Sequence, residues 1–186
     1  MVPESRLEST EHGLVPMGEG WFVLNARDSR WYHAEGRSAV CSFEGEEEPE
    51  NEFEQLGINV SVLNPGESMG MYHWEADQED FLVLSGEAML IIEGEERPLK
   101  AWDFVHCPPE TKHIIVGAGS GPCVVLAVGA RDKSGGGKPG WGGYIVDETA
   151  AKYGASVAED TTDPKEAYAP FTRRAHAKYR DGWLPS

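Results

Sequence analysis

Short runs of strand-forming residues follow one another at close intervals between Gly57 and Val128, and this rhythm constrains the fold more than any other feature of the chain. The runs are Gly57 to Leu63, Asp80 to Leu84, Ala88 to Glu93, Asp103 to Cys107, His113 to Val116 and Cys123 to Val128. Turn formers separate them, among them Asn64-Pro65-Gly66, Glu93-Gly94 and Ser120-Gly121-Pro122. No segment of helical period intervenes to suggest parallel βαβ units. The pattern therefore predicts an all-β antiparallel barrel or sandwich.

A length of 186 residues exceeds one small barrel and falls short of two domains of typical size. The economical division is an N-terminal arm with an acidic loop packing on the barrel (1–56), a barrel core (57–130), and a Gly-rich loop with a helical tail (131–186). Within the arm, Gly20 to Asn25 has strand propensity. The acidic run Phe43 to Glu52 reads as a solvated loop without a catalytic role. Lys133 to Gly140 is Gly-rich and carries lysines, but Pro139 follows Lys138 where a phosphate loop needs Ser or Thr. It reads as a flexible linker or a loop over the barrel mouth.

In the tail, Asp147 caps a predicted helix over Glu148 to Tyr153, which Gly154 stops. Asp163 and Pro164 start a second helix, Pro170 breaks it, and further helical turns are expected from Phe171 to Tyr179. Tyr168, Phe171, Ala175 and Tyr179 would form one apolar face, docked on the barrel or on a second subunit. The neighbouring cations Arg173, Arg174, Lys178 and Arg180 are expected to pair with acidic surface.

The formal net charge of −16 repels phosphate backbones and excludes nucleic acid as a partner class. It points instead to a neutral or cationic small-molecule ligand. No stretch approaches the ~20 apolar residues of a membrane helix, so no membrane partner is expected. Met1 to Ser5 lacks the basic-then-apolar order of a signal peptide. Cys41, Cys107 and Cys123 are odd in number and lack C-x-x-C spacing, which argues against a disulfide framework or structural zinc and for free thiols in the cytoplasm.

The residues that speak of chemistry flank one hairpin. Residues two apart on a strand share a face, so His73 and Glu75 present an imidazole and a carboxylate together. Glu79 has the same parity and opens the strand Phe81 to Leu84. His113, after the Pro108-Pro109 turn, begins a strand able to lie beside them. Metal ligation by His73, Glu75, Glu79 and His113 is one reading. The bland alternative has both histidines as satisfied interior residues and both glutamates as rim charges. His106 differs in parity from Val105 and Cys107 and reads as a packed or edge histidine. Gln78, beside Glu79, is a candidate hydrogen-bond partner of the site, and Tyr72, Trp74 and Trp102 are candidate pocket walls.

In its order of parts, the segment from about 58 to 130 resembles the double motif of the cupin superfamily. The first motif, G-x5-H-x-H-x3,4-E-x6-G, is met by His73, Glu79 and Gly86, with Glu75 in place of the second histidine and Gly66 one residue too far upstream. The second, G-x5-P-x-G-x2-H-x3-N, is met by Pro108 and His113, while Trp102, Glu110 and Gly117 replace its first Gly, second Gly and Asn.

The resemblance implies a jelly-roll barrel, a homodimer and a divalent transition metal held inside. Two imidazoles and one carboxylate are the ligand set of mononuclear non-haem iron oxygenases, and a second carboxylate from Glu75 would make a neutral, harder site that suits manganese, zinc or ferrous iron rather than copper(I). Glu75 is then either a further ligand that neutralises the ion or a catalytic general base beside it. The implied functions are a metal-dependent oxygenase, isomerase or lyase acting on a small organic molecule, or a non-catalytic ligand- or metal-binding module. An inert barrel is disfavoured, because charged groups converging inside it are costly without a counter-charge.

Overall fold

Alternation of side chains along the central strands decides how the sheets stack. In the computed structural model, which describes residues 1–44, 53–132 and 140–185, the chain forms β1 (Arg6–Thr10), β2 (Gly13–Met17), β3 (Trp31–His33), β4 (Ala39–Ser42), β5 (Leu56–Leu63), β6 (His73–Glu75), β7 (Glu79–Ser85), β8 (Glu87–Ile92), β9 (Glu95–Lys100), β10 (Phe104–Cys107), β11 (His113–Ala118), β12 (Cys123–Ala130) and β13 (Gly142–Tyr144). Short helices α1 (Glu148–Ala151) and α2 (Pro164–Ala167) follow, and β14 (Ala175–Ala177) comes last. The strands pair antiparallel in a seven-stranded sheet, β10-β7-β12-β5-β4-β3-β14, a five-stranded sheet, β13-β6-β11-β8-β9, and a separate β1-β2 hairpin.

The two large sheets pack face to face. Phe81, Val83, Val105, Cys107 and Val125 from one meet Ala88, Leu90 and Ile115 from the other in a common core. Strand β5 is covered on both faces: Leu63 enters that core, while Val60 and Val62 face a second cluster built on the fully buried Trp31. The expected all-β cupin-type architecture is what the chain adopts. Each strand expected between Gly57 and Val128 is present, with β9 added as the second arm of the Glu93-Gly94 hairpin.

Both appendages differ in detail from the sequence reading. Gly20 to Asn25 forms no strand beyond a single bridge at Trp21; the arm instead contributes β3 and β4 to the seven-stranded sheet. The acidic run lies mostly outside the described residues, although Glu44 is within them and is ion-paired with Arg131 at 2.6 Å. The Gly-rich segment 133–139 also lies outside.

Helices start where Asp147 and Asp163 cap them, yet each is a single turn. From Phe171 to Tyr179 no helix forms. Ala175–Ala177 is instead an edge strand paired with β3, and the apolar face splits: Tyr168 and Phe171 pack near Trp141 and Tyr144, whereas Ala177 and Tyr179 pack on Trp31. Pairing with the β3 backbone and cover for Trp31 reward the extended form over a helix of weak local preference. Cys41, Cys107 and Cys123 are free and buried. Among the described residues, no helix is long and apolar enough to cross a membrane.

Candidate metal centre

Antiparallel pairing of β6 with β11 sets His73 directly opposite His113. The facing sheet supplies Glu79 at the first position of β7, opposite Cys107 of β10. Strand register thus brings residues from both layers to one point inside the barrel. His73 Nε2 lies 3.7 Å from Glu79 Oε2, and His113 Nε2 lies 3.2 Å from the same oxygen. One potential ligand atom from each of the three residues falls within 4.8 Å of the other two.

Tautomers follow from the neighbours. His73 Nδ1 is 2.8 Å from the Met71 carbonyl and His113 Nδ1 is 2.9 Å from the Thr111 carbonyl. A carbonyl oxygen only accepts, so both Nδ1 atoms carry hydrogen, and in the neutral rings both Nε2 atoms present lone pairs. Those lone pairs aim at a carboxylate. Glu79 Oε2 and His113 Nε2 are buried, and although 3.2 Å apart, neither completes an aligned hydrogen bond. Acceptors converging in a buried place require a positive charge between them, either a proton or a cation.

In the protein without metal the proton serves. Burial disfavours a charged His113, but contacts with Cys107 and Glu79 outweigh it and push the imidazole up to about 10. Burial likewise pushes the Glu79 carboxyl upward, and its contacts with His113 and His73 reverse this and hold it below the usual range. A divalent ion fits the same place: it takes the neutral imidazole Nε2 atoms and a carboxylate oxygen, with each Nδ1 hydrogen already anchored to backbone as such ligands require. Two imidazoles and one carboxylate form the facial set of mononuclear metal sites with open positions.

Of the four residues expected as ligands, the structure brings His73, Glu79 and His113 together. Glu75 stands beside them rather than among them: its Oε1 is 3.7 Å from His73 Nε2, and it is absent from the three-residue cluster. Gln78 turns outward to Asp80 at 2.6 Å and does not reach the site. His106 is exposed and bonded to the same Asp80. Tyr72 is a core residue whose hydroxyl accepts from Gly94 N–H at 3.0 Å, and Trp102 lies on the outer surface, so neither lines the pocket.

The triad opens on a cavity of about 230 Å³ also lined by Asn59, Ser61, Met69, Tyr168 and Arg174. Asn59 and Ser61 occupy the inward parity of β5, a polar interruption legible in the sequence only once the inner face is known. Arg174 and Tyr168 come from the tail, and no local pattern connects them to the histidines.

The cupin domain family matches residues 59–129. The match spans both paired histidines and Glu79. Residues 59–129 form a cupin domain. No curated protein matches the sequence. Among solved structures, this cupin is similar to the polyketide cyclase RemF of Streptomyces resistomycificus, at TM-score 0.50 and 13% identity over 59% of this chain and 79% of that one. It is also similar to a protein described as a predicted oxalate decarboxylase from Thermotoga maritima, with TM-score 0.49 and 22% identity over 59% and 98% of the two chains. A third is a putative sugar phosphate isomerase from Acidithiobacillus ferrooxidans, with TM-score 0.45 and 24% identity over 54% of this chain and 66% of that one, just under two thirds of its length. At these identities the likeness concerns the fold alone.

Proposed function

We propose that this cupin holds one divalent transition ion, manganese, zinc or ferrous iron, through His73, Glu79 and His113, and uses it in chemistry on a small organic molecule. The observation that carries the reading is the convergence of lone pairs: imidazole nitrogens fixed by the Met71 and Thr111 carbonyls, and a buried carboxylate oxygen without an aligned donor. Held by these three residues, such an ion would supply Lewis acidity.

The chain's own residues do the rest. Phe81 and Ile115 on the cavity wall limit water at the centre, while Asn59 and Ser61, which line the same cavity, offer hydrogen bonds from β5. In this reading Glu75, partly exposed and 3.7 Å from His73 Nε2, takes a proton from a group held at the centre rather than ligating. The three buried free thiols support a reducing, cytoplasmic setting.

Elemental analysis of the purified protein tests the assignment. About one divalent ion per chain is expected, lost when His73→Ala and His113→Ala are combined and retained in Glu75→Gln. Full metal content in the double variant would sink the ligand set, and loss of metal in Glu75→Gln would make Glu75 a ligand instead of a base.

A further inference from the structure

The cavity that holds the triad has a second charged wall. Arg174, four residues past the Pro170 break, lines the same cavity as His73, Glu79 and His113. Its Nε donates to the Ser38 carbonyl at 2.9 Å, and its Nη2 donates to Ser38 Oγ and to the Met69 carbonyl at 3.1 Å. A guanidinium has five N–H donors. The two on Nη1 meet no acceptor among the described residues, and no described carboxylate lies within ion-pair distance of Arg174. Burial and then the nearby Arg37 pull this guanidinium down to about 10, so it stays charged at neutral pH.

An outer cleft of about 720 Å³ adjoins the inner cavity, with Arg174, Tyr168 and Val40 lining both. Its other charged walls are Arg37, Lys165 and Arg173, and no acidic residue lines it among the described residues. Arg37 is held over the rings of Tyr168 and Phe171, at 4.8 and 5.3 Å from their centroids. In a chain of net charge −16, a cleft whose charged lining residues are all cations is a local reversal of sign. A cleft of one sign between low-dielectric walls concentrates ligands of the other.

We propose that the cavity takes a small organic carboxylate, with its anionic group on the Nη1 hydrogens of Arg174 and its reacting end at the His73, Glu79 and His113 centre. This rests on the metal reading above, and it departs from the neutral or cationic ligand that overall charge suggests. The field inside a cleft is set by the groups that line it, not by the sum over the chain. With Nε and Nη2 already used, Nη1 offers a charge-assisted hydrogen bond to one carboxylate oxygen, whereas a phosphate dianion calls for more donors than Arg174 has left.

Calorimetric titration of pyruvate, pyruvamide and inorganic phosphate into the manganese-loaded protein tests the proposal, with metal content measured on the same samples. Pyruvate is expected to bind more tightly than either other probe. Arg174→Gln should weaken pyruvate binding by about tenfold or more, the worth of a hydrogen bond to a charged group, without changing metal content or pyruvamide affinity. Because Arg174 also ties the tail to Ser38, Arg37→Gln in the half-exposed cleft is the second variant, expected to weaken pyruvate about threefold or more. Absence of pyruvate binding to the unmodified protein, equal affinity for pyruvate and pyruvamide, tighter phosphate binding, or undiminished pyruvate affinity in a folded Arg174→Gln or Arg37→Gln protein would each overturn it. Failure of the metal reading has a separate signature: no retained manganese, with pyruvate binding that still depends on Arg174.

Discussion

A side chain in the left-handed region of backbone space costs about 1–2 kcal/mol, and Trp102 and Glu110 carry it at φ 76° and 70°. Both occupy positions where the second cupin motif has glycine. Hydrogen bonds hold them there: Trp102 N–H donates to the Val83 carbonyl and Glu110 N–H to the Glu75 carbonyl, each at 2.7 Å. The second bond ties the Pro108-Pro109 turn to the strand that carries His73. Glu110→Gly should therefore relieve the strain, partly offset by the extra freedom of glycine in the unfolded chain, and raise stability by about 0.5–1 kcal/mol. A higher urea midpoint with an unchanged slope is the expected result; a lower midpoint would mean that the Glu110 side chain holds the turn. These positions show how much of the site was legible in sequence. His73, Glu79 and His113 are recognisable by type and order, but the substitution at Glu75 becomes informative only when its distance from the other ligands is known.

At the scale of elements, the central strands were readable because turn residues bracket them and their apolar runs are short. Glu93 and Gly94 both adopt positive φ, 49° and 79°, as a two-residue hairpin with right-handed strand twist requires. Gly86 closes the β7-β8 turn at φ 78°, and a Cβ there would lie 2.4 Å from the Pro122 carbonyl oxygen. Conformation and space both demand glycine. Gly86→Ala should cost about 2–4 kcal/mol through the left-handed penalty plus overpacking against backbone, read as a lower midpoint in chemical denaturation. A change below about 0.5 kcal/mol, the ordinary range for surface positions, would show that the turn can shift. The tail is not legible in this way, for the opposite reason. Tyr168, Phe171, Ala175 and Tyr179 do recur at helical steps, but the segment's partners are β3 and Trp31, more than a hundred residues away, and spacing within a segment carries no information about them. Separation in sequence likewise hides Arg174 from the histidines.

At the scale of the whole molecule, sheet edges differ in how they are protected. Strand β9, an edge of the five-stranded sheet, reads Glu-Glu-Arg-Pro-Leu-Lys, and its charges and proline discourage pairing with another chain. Strand β10, an edge of the seven-stranded sheet, lacks both devices. It presents Phe104 at 64% exposure, next to Trp102 at 74%, among the larger apolar side chains left on the surface. A homodimer, which the family resemblance implies, would cover this edge, and the second copy is self-complementary there because two such strands can meet antiparallel about a two-fold axis. Net charge does not forbid it, since screening beyond about 10 Å at 0.1 M salt leaves the contact energy to local groups. Light scattering of the full-length protein is expected to give twice the mass of one chain, and Phe104→Glu, which places a carboxylate at the edge without disturbing the inward Val105 and Cys107, should give the single-chain mass. If the unmodified protein is already a single chain across micromolar concentrations, the apolar β10 edge is an exposed surface that this cupin tolerates, and its dimer does not exist.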